Sequence, residues 1–590
     1  MRAAEEHHFA THDGTELFYR HWPAPAGMSG NPDRALVLLH RGHEHSGRLQ
    51  HIVDELNLAD FACFAWDARG HGRSPGERGD SPSFAASVKD LDVFTRHLEQ
   101  MHGIPRQNMV VVAQSVGAVL AAAWAHDYAP PVRGLVLTAP AFKVKLYVPL
   151  ARPALALWYR LRGNFFISSY VKARFLTHDP ERIASYDADP LITRNISARV
   201  LLGLYDAAER VVADAQAIRL PTQVLVSDSD WVVHTAPQEA FFNNLGSPVK
   251  ERHVLPGFFH DTLGEKDREQ AFAHIRAFIG RLFAASPDQL MPRQPLLEAH
   301  RAGYTRDEEQ GLLTPLPALS AKNLQFALTR LSMTTLGRLS EGVRLGLETG
   351  FDSGSTLDYV YRNQARGALG LGRIIDRGYL DAVGWRGIRV RKQHLGQAIA
   401  AAGQRLAAGG RAPRILDIAA GHGRYVLDAL AGLTTPPEAI LLRDYSDLNV
   451  QAGRALIAER GLGAVARFEQ GDAFDGEGLA SLKDSAAPNL AIVSGLYELF
   501  SDNALITRSL TGLARAVAPG GYLLYTGQPW HPQVEMIART LTSHRDHQPW
   551  VMRRRTQAEM DALVAEAGFE KLEQWTDEWG IFTVSLARQV

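Results

Sequence analysis

The stretch "VVVAQSVGAVL", Val110 to Leu120, decides the fold of the first half of this 590-residue chain. A β-branched run meets Ala-Gln-Ser-Val-Gly and then becomes Ala-rich, which predicts a strand, a sharp turn at Ser115 and a helix. The small residues Ala113 and Gly117 leave room for such a turn. The pentapeptide alone is a weak signal, because a serine after a strand often only caps the next helix.

Composition and charge set the class of protein. The hydrophobic residues make up 46% of the chain, the charged residues 22%, and the formal net charge is -1. Two domains of roughly 250 residues are the natural expectation for this length. The charge argues against a nucleic-acid partner. Cys63 is the single cysteine, so an internal disulfide and a Cys-based metal site are excluded, and we predict no metal.

The same sequence predicts a cytoplasmic protein. A single cysteine fits a reducing compartment. No secretory signal is visible in the first residues. No stretch approaches ~20 uninterrupted apolar residues, so no transmembrane helix is expected.

Strand-like runs alternate with helical patterns in two separate series, which predicts two α/β sheets with helices on both faces. A long helical insertion interrupts the first series, and proline-rich sequence separates the two. The predicted division is a first α/β domain over 1–285 with a cap at about 141–215, a Pro-containing linker over 286–322, and a second α/β domain over 323–590 with a helical extension over 323–410.

Three residues of the first series stand at predicted strand ends in the order Ser115, Asp230, His260. A free serine hydroxyl is a poor nucleophile near neutral pH, so His260 would take its proton. A buried carboxylate would hold the imidazole tautomer, and Asp230 fits better than Asp228. The motif "HRGHEHSGR", His40 to Arg48, follows an early strand. We predict that the N–H groups of Gly42 and Val116 bind the developing oxyanion, with Arg41 as an alternative to Gly42.

These pieces, with "WDARGHGRSPGERG" (Trp66–Gly79), resemble the α/β-hydrolases of the monoacylglycerol lipase and lysophospholipase type, which are serine aminopeptidase S33-like. The resemblance covers about Phe9 to Phe283. It implies a serine ester hydrolase with a helical cap and a small-molecule or lipid ester as substrate. Arg41 and Ala113 depart from the usual glycines. The cap segment Lys143–Gly163 interleaves basic and apolar residues, which fits an acyl-pocket cover or a peripheral contact with a membrane.

The stretch "RILDIAAGHGRYVLDAL", Arg414 to Leu430, governs the second half. It predicts a strand, a glycine turn and a helix, a combination that lets the backbone approach a nucleotide-like ligand. A dinucleotide fingerprint is one interpretation. The spacing of Asp417, Ala419, Gly421 and Gly423 instead resembles the first motif of class I methyltransferases.

Further motifs extend that resemblance. Asp444 ends the next strand, where an acid would accept hydrogen bonds from ribose hydroxyls. Asp472 stands where this family contacts adenine, and "APGGYLLYTG" (Ala518–Gly527) resembles a late motif. The resemblance implies S-adenosyl-L-methionine as cofactor on a Rossmann-like sheet. Tyr497 and Glu498 are candidates for the methyl-acceptor side, or a packed aromatic residue and a solvated acid.

The leading hypothesis is a bifunctional enzyme that combines a serine ester hydrolase with a methyltransferase, with a role in lipid metabolism and an unidentified methyl acceptor. One alternative is a small-molecule carboxylesterase and methyltransferase pair in specialised metabolism. Another is a hydrolase joined to a catalytically silent module that binds S-adenosylmethionine.

Overall fold

A computed structural model describes residues 1–25, 33–148, 150–483 and 487–590. The chain divides into two compact units, Met1–Pro292 and Arg293–Val590, called unit 1 and unit 2 below. Within the described ranges, no helix is both long enough and apolar enough to cross a membrane.

Unit 1 contains a sheet of eight strands among its described residues, in the order β1-β2-β4-β3-β5-β6-β9-β10. The pairs from β4 through β10 are parallel, and β1 and β2 are antiparallel additions at one edge. A short hairpin, β7 and β8, lies between β6 and β9 in the chain. The strands are β1 (Glu5–Ala10), β2 (Glu16–Trp22), β3 (Ala35–Leu39), β4 (Ala62–Trp66), β5 (Met109–Gln114), β6 (Gly134–Thr138), β7 (Phe166–Ser168), β8 (Asn195–Ser197), β9 (Thr222–Ser227) and β10 (Lys250–Leu255).

Helices cover both faces of this sheet, because its central strands are apolar on both sides. Separate buried clusters lie on the two faces, one built with α2 and α3 and the other with α1 and α8. The segment between β6 and β9 forms the cap, with α4, α5 and α6. The helices are α1 (Gln50–Leu56), α2 (Phe84–His102), α3 (Val116–Tyr128), α4 (Ala151–Arg162), α5 (Pro180–Ala188), α6 (Ala198–Ala213), α7 (Ala236–Asn244), α8 (Glu269–Ala284) and α9 (Pro287–Leu290). The predicted α/β-hydrolase fold with a helical cap is confirmed.

Unit 2 begins with helices and continues into a second sheet. The helices before the sheet are α10 (Gln294–Leu297), α11 (Tyr304–Leu313), α12 (Ala321–Thr334), α13 (Glu341–Thr349), α14 (Gly354–Arg362), α15 (Leu371–Leu380) and α16 (Val383–Ala408). Within the sheet region lie α17 (Arg424–Ala429), α18 (Asp447–Glu459), α19 (Gly476–Ala480), α20 (Asn503–Ala516), α21 (Val534–Thr540) and α22 (Gln557–Glu566).

The sheet of unit 2 has the order β13-β12-β11-β14-β15-β17-β16. The first five strands in this order are parallel, and β17 joins β15 antiparallel. The strands are β11 (Arg414–Asp417), β12 (Ala439–Asp444), β13 (Ala466–Gln470), β14 (Leu490–Val493), β15 (Tyr522–Gly527), β16 (Phe569–Thr576) and β17 (Thr583–Gln589). This is the predicted Rossmann-like class I architecture. The sequence reading missed β16 and β17.

The prediction of a linker over 286–322 differs from the structure. Most of that segment belongs to unit 2, where Leu297 O accepts a hydrogen bond from Asn503 and Thr305 Oγ1 accepts one from the buried Arg553. Two of the prolines that suggested a linker lie in the first turns of short helices instead, Pro287 in α9 and Pro295 in α10. Proline fits the first helical position because its fixed φ suits the helix and the N–H there needs no partner.

Candidate active sites

Ser115 sits on a strained turn between β5 and α3. Its backbone has φ 53° and ψ -112°, a conformation that a non-glycine residue adopts only where the surrounding structure enforces it. A Cβ atom on Gly117 would lie 2.7 Å from the carbonyl oxygen of His40, so α3 packs against the end of β3 only with glycine there. The small residues of the quoted stretch therefore let the turn form and present the serine hydroxyl.

The structure brings the three predicted residues of unit 1 together. Ser115 Oγ lies 2.7 Å from His260 Nε2, and His260 Nδ1 lies 2.7 Å from Asp230 Oδ2. All three side chains are buried. These distances are within hydrogen-bond range. The hydroxyl can therefore pass its proton to His260, while Asp230 holds the other ring nitrogen.

The environment of Asp230 keeps its carboxylate charged. Its Oδ1 accepts hydrogen bonds from the N–H groups of Val232 (2.6 Å) and Val233 (2.9 Å). Burial raises the pKa of Asp230, but His260 and these two N–H groups outweigh burial and hold it below its ordinary value. Asp228, two residues earlier, is exposed and accepts a hydrogen bond from the N–H of Gly257, so its place is in the loop.

Gly42 and Val116 adjoin each other beside Ser115. A Cβ atom on Gly42 would lie 3.1 Å from Val116 Cγ2. Val116 is the first residue of α3, where the N–H has no acceptor within the helix. The two predicted oxyanion donors therefore share one end of the cavity described next.

The Arg41 side chain is committed elsewhere. Its guanidinium pairs with Glu44 at 2.6 Å and Asp261 at 3.2 Å, and Arg48 also bonds Glu44. This buried ion-pair network was not foreseen from the sequence, because Asp261 lies more than 200 positions after the other three members.

A large cavity opens above Ser115, with a volume of about 820 Å³. Its floor includes Ser115 and His260, and its walls come largely from apolar cap residues. Among the wall residues are Leu146, Tyr147, Leu155, Trp158, Ile167 and Leu204. The cap thus forms an apolar pocket of a size that suits an extended ligand.

In unit 2 the glycine loop follows β11. Gly421 and Gly423 have φ of 57° and 74°, and a Cβ atom on Gly423 would lie 2.5 Å from Leu442 Cδ1. Ala419 donates its N–H to Asp417 Oδ1, and Tyr425 donates its hydroxyl to Asp417 Oδ2. Asp417 is fully buried, which raises its pKa to about 7 despite these two bonds. Asp417 therefore lies beneath the loop and supports it.

Asp444 is the last residue of β12, which pairs with β11, and Asp472 follows β13, the strand on the far side of β12. Asp444 Oδ2 accepts a hydrogen bond from the Gly421 N–H at 2.9 Å. Its Oδ1 accepts bonds from Ser446 N and Asn449 Nδ2 at 2.9 and 3.0 Å. One lone pair on Oδ2 is then left for a ligand. A pair of ribose hydroxyls would need two free acceptor positions, so Asp444 can accept a hydrogen bond from only one of them. Asp472 is exposed, and its Oδ1 accepts a hydrogen bond from Phe474 N.

The start of α14 lies against the glycine loop. A Cβ atom on Gly421 would lie 3.6 Å from Gly354 Cα. Ser355 Oγ is 3.4 Å from His422 Nε2, and Arg424 forms an ion pair with Asp358. The contact of α14 with the glycine loop was not predicted from the sequence.

The two acceptor-side candidates occupy different environments. Tyr497 is buried, packs in the core and donates its hydroxyl to Ser509 Oγ at 2.9 Å. Glu498 lines a second cavity of about 80 Å³ and lies 3.4 Å from Arg391 Nη1. Burial raises the pKa of Glu498 even though Arg391 opposes this. The structure thus puts Tyr497 in a packing position and Glu498 at a cavity.

Comparisons with known proteins cover both halves. Residues 275–589 match a family described as "Putative methyltransferase", and residues 30–267 match "Serine aminopeptidase, S33". An uncharacterized protein of Escherichia coli (strain K12), YnbC, is 57% identical over 99% of this chain and 98% of its own length. The monoacylglycerol lipase of Mycolicibacterium smegmatis is 25% identical over 46% of this chain and 96% of the lipase.

Solved structures are also similar to the hydrolase half. The monoacylglycerol lipase of Paleococcus ferrophilus gives a TM-score of 0.41 at 23% identity, covering 45% of this chain and 99% of that chain. A soluble variant of the Saccharomyces cerevisiae monoglyceride lipase gives 0.43 at 18% identity, covering 48% and 96%. The chain belongs, over nearly its whole length, to the family of YnbC, in which an α/β-hydrolase half of the serine aminopeptidase S33 type precedes a half of the family described as "Putative methyltransferase".

Proposed function

We propose that the protein is a bifunctional enzyme, with a serine ester hydrolase in unit 1 and a methyltransferase that uses S-adenosyl-L-methionine in unit 2. The observation that carries the hydrolase proposal is the unbroken chain of short contacts from Ser115 through His260 to Asp230. His260 takes the serine proton as Ser115 Oγ attacks the ester carbonyl. The N–H groups of Gly42 and Val116 then bind the oxyanion, and His260 returns the proton to the leaving alcohol. A water molecule that gives its proton to His260 then cleaves the acyl group from Ser115 and releases the acid.

We propose a monoacylglycerol or a lysolipid as the ester. A cavity of about 820 Å³ with mostly apolar walls suits an acyl chain better than a small polar acid. The named activity of the Mycolicibacterium smegmatis relative, "Monoacylglycerol lipase", supports this choice. Release of glycerol and fatty acid from a monoacylglycerol, measured with wild type and Ser115→Ala, tests it. Turnover by the Ser115→Ala variant would exclude the proposed nucleophile.

We propose that the protein lies in the cytoplasm and contacts a membrane surface peripherally through its cap. Helix α4 has no buried residue, and its Leu157 and Leu161 are exposed. Arg160 and Arg162 lie in its last turn. Apolar side chains beside cations are the pattern of helices that lie in the interface of an anionic bilayer. An ester drawn from that bilayer would enter the cavity beneath the cap.

For unit 2, the residues present fit the adenosyl end of the cofactor. Glycines at 421 and 423 keep the loop backbone open to close approach. The end of β12 offers Asp444 with one unused lone pair for a ribose hydroxyl, and Asp472 on the next strand is exposed for the adenine amine. When bound, the cofactor supplies a methyl group on a sulfonium. The protein's part is to hold it at the carboxyl ends of β11, β12 and β13.

Titration calorimetry with S-adenosylhomocysteine tests this assignment, because the product analogue binds without turnover. We expect wild type to give saturable heat when titrated with S-adenosylhomocysteine and no heat when titrated with NAD. Preference for NAD would replace the methyltransferase proposal with a dinucleotide-binding one.

A further inference from the structure

The cavity of about 80 Å³ in unit 2 is built at the carboxyl ends of two neighbouring strands. Glu498 follows β14, and Gln528 and His531 follow β15, which pairs with β14 in parallel. The glycine loop follows β11 on the other side of β14, where Asp417 is in register with Ile492. The cavity therefore lies one strand away from the proposed cofactor loop, on the side that Asp444 and Asp472 do not occupy.

Aromatic rings form part of its wall, and its lining holds hydrogen-bonding groups without protein partners. Trp385 and Trp550 have ring centroids 6.2 Å apart at an interplanar angle of 26°, and Phe582 lies opposite the Arg391 guanidinium at 5.0 Å. Among the described residues, Gln528 Nε2, Trp550 Nε1 and Arg391 Nε have no hydrogen-bond partner. Buried polar groups usually have partners, and these three belong to residues that line one cavity, where a ligand would supply the missing acceptors.

The donors and the acceptor in this lining define the ligand's chemistry. Burial lowers the pKa of His531 to about 4, which keeps the ring neutral. His531 Nδ1 accepts a hydrogen bond from Gln533 N, so the ring carries its proton on Nε2, which is a further donor. Glu498 supplies a carboxylate whose hydrogen bond to Arg391 is long, at 3.4 Å. The lining thus offers several N–H donors to an oxygen and, at Glu498, a carboxylate to an O–H group. Its other carboxylate, Asp352, already accepts hydrogen bonds from Ser543 Oγ and His544 N.

The size of the cavity limits the ligand. At 10–15 Å³ for each water, 80 Å³ holds about six waters, close to the size of a single substituted ring. A carboxylate ligand would face Glu498 as a like charge. A neutral ring with a hydroxyl group satisfies both the donors and Glu498.

Resting on the proposed methyltransferase function, we propose that this cavity binds the methyl acceptor, that the acceptor is a small neutral phenol-type molecule, and that Glu498 takes its hydroxyl proton. The O–H bond breaks toward the Glu498 carboxylate as the oxygen forms its bond to the methyl carbon. Bound S-adenosyl-L-methionine would supply that methyl carbon and be left as its neutral sulfide, so the acceptor oxygen loses a proton and gains a methyl group. Burial favours this role, since a carboxylate with a raised pKa is a better base near neutral pH.

Binding of phenol itself tests the site. Saturation-transfer NMR measures this binding to the full-length protein with S-adenosylhomocysteine present. We expect saturable binding by wild type and at least tenfold weaker binding of benzoate. Gln528→Leu removes one N–H donor at nearly constant shape and should weaken phenol about tenfold. Gln404→Leu makes the same change at an exposed position of α16 and should change nothing. Equal phenol affinity in both variants, or tighter binding of benzoate than phenol, would overturn the proposal.

Glu498→Gln separates binding from proton transfer. The amide oxygen still accepts a hydrogen bond, so phenol affinity should stay within about threefold, while methyl transfer to phenol falls at least a hundredfold. Calorimetry with S-adenosylhomocysteine on the same variants keeps the two claims apart. Unchanged affinity in Gln528→Leu supports an acceptor site, whereas a loss there would assign the cavity to the cofactor. If wild type binds phenol but not S-adenosylhomocysteine, the ligand site stands and the methyltransferase proposal fails.

Discussion

Replacement of Asp230 by asparagine tests how the hydrolase site works while keeping its shape. The two N–H groups of Val232 and Val233 point at Oδ1, so they will hold the asparagine oxygen and turn the amide NH₂ toward His260. An N–H donor facing Nδ1 forces the imidazole proton onto Nε2. His260 Nε2, 2.7 Å from Ser115 Oγ, can then no longer accept the serine proton.

The expected loss follows from that change of tautomer. A loss of roughly 10⁴ in kcat, about 5 kcal/mol of transition-state stabilisation, is typical when a triad carboxylate becomes an amide. Hydrolysis of p-nitrophenyl butyrate measures it, with thermal unfolding to confirm that the fold is kept. Asp228→Asn is the matched control, because the same substitution two residues away affects an exposed loop carboxylate; it should stay within about threefold of wild type. A loss of less than tenfold for Asp230→Asn would refute the assigned role.

Three further predictions concern the rest of the chain. Asp444→Ala should weaken S-adenosylhomocysteine binding about ten- to a hundredfold by calorimetry, since one charge-assisted hydrogen bond contributes roughly 1.5–3 kcal/mol. Asp447 is exposed on α18, so Asp447→Ala should leave this affinity unchanged. Equal effects of the two substitutions would show that Asp444 does not bind the ribose. Burial raises the pKa of Asp417 in the folded protein to about 7, above its value in the unfolded chain. The protonated carboxyl group therefore stabilises the folded state fully below about pH 4. This contribution to the free energy of unfolding falls by about 1.4 kcal/mol per pH unit as the pH rises to 7. Asp417→Asn should therefore gain stability relative to wild type in urea unfolding from pH 5 to pH 7 and no more above pH 8, and a constant difference would contradict the raised pKa. A fragment of residues 1–292 should keep p-nitrophenyl butyrate hydrolysis, and loss of activity in the folded fragment would show that unit 2 completes the site.

The motifs predicted the parts of the fold that local chemistry determines. The turn at Ser115 and the glycine loop at Gly421 each need small residues at fixed spacing, and both lie where the sequence placed them. The meeting of Asp230 and His260 with Ser115 could be predicted because each follows a parallel strand, and parallel strands bring their carboxyl ends to one edge of a sheet.

Other features depend on partners far away in the chain. The pairing of Arg41 with Asp261 and the contact of α14 with the glycine loop leave no periodic signal. Pro287 and Pro295 are ambiguous for a different reason, because proline suits both a linker and the first turn of a helix. Tyr497 is buried by the side chains of its core cluster, and the cavity beside Glu498 is lined by residues of α16 and of the segment after β15. Strand and helix patterns encode neither arrangement.

Ser115, on its strained turn, is the proposed covalent nucleophile of unit 1. Treatment of the full-length protein with a fluorophosphonate probe, followed by mass spectrometry of the peptides, tests it most directly. We expect a single adduct on Ser115, absent from Ser115→Ala and formed far more slowly in His260→Ala. An adduct on another residue, or labelling that persists in Ser115→Ala, would contradict it.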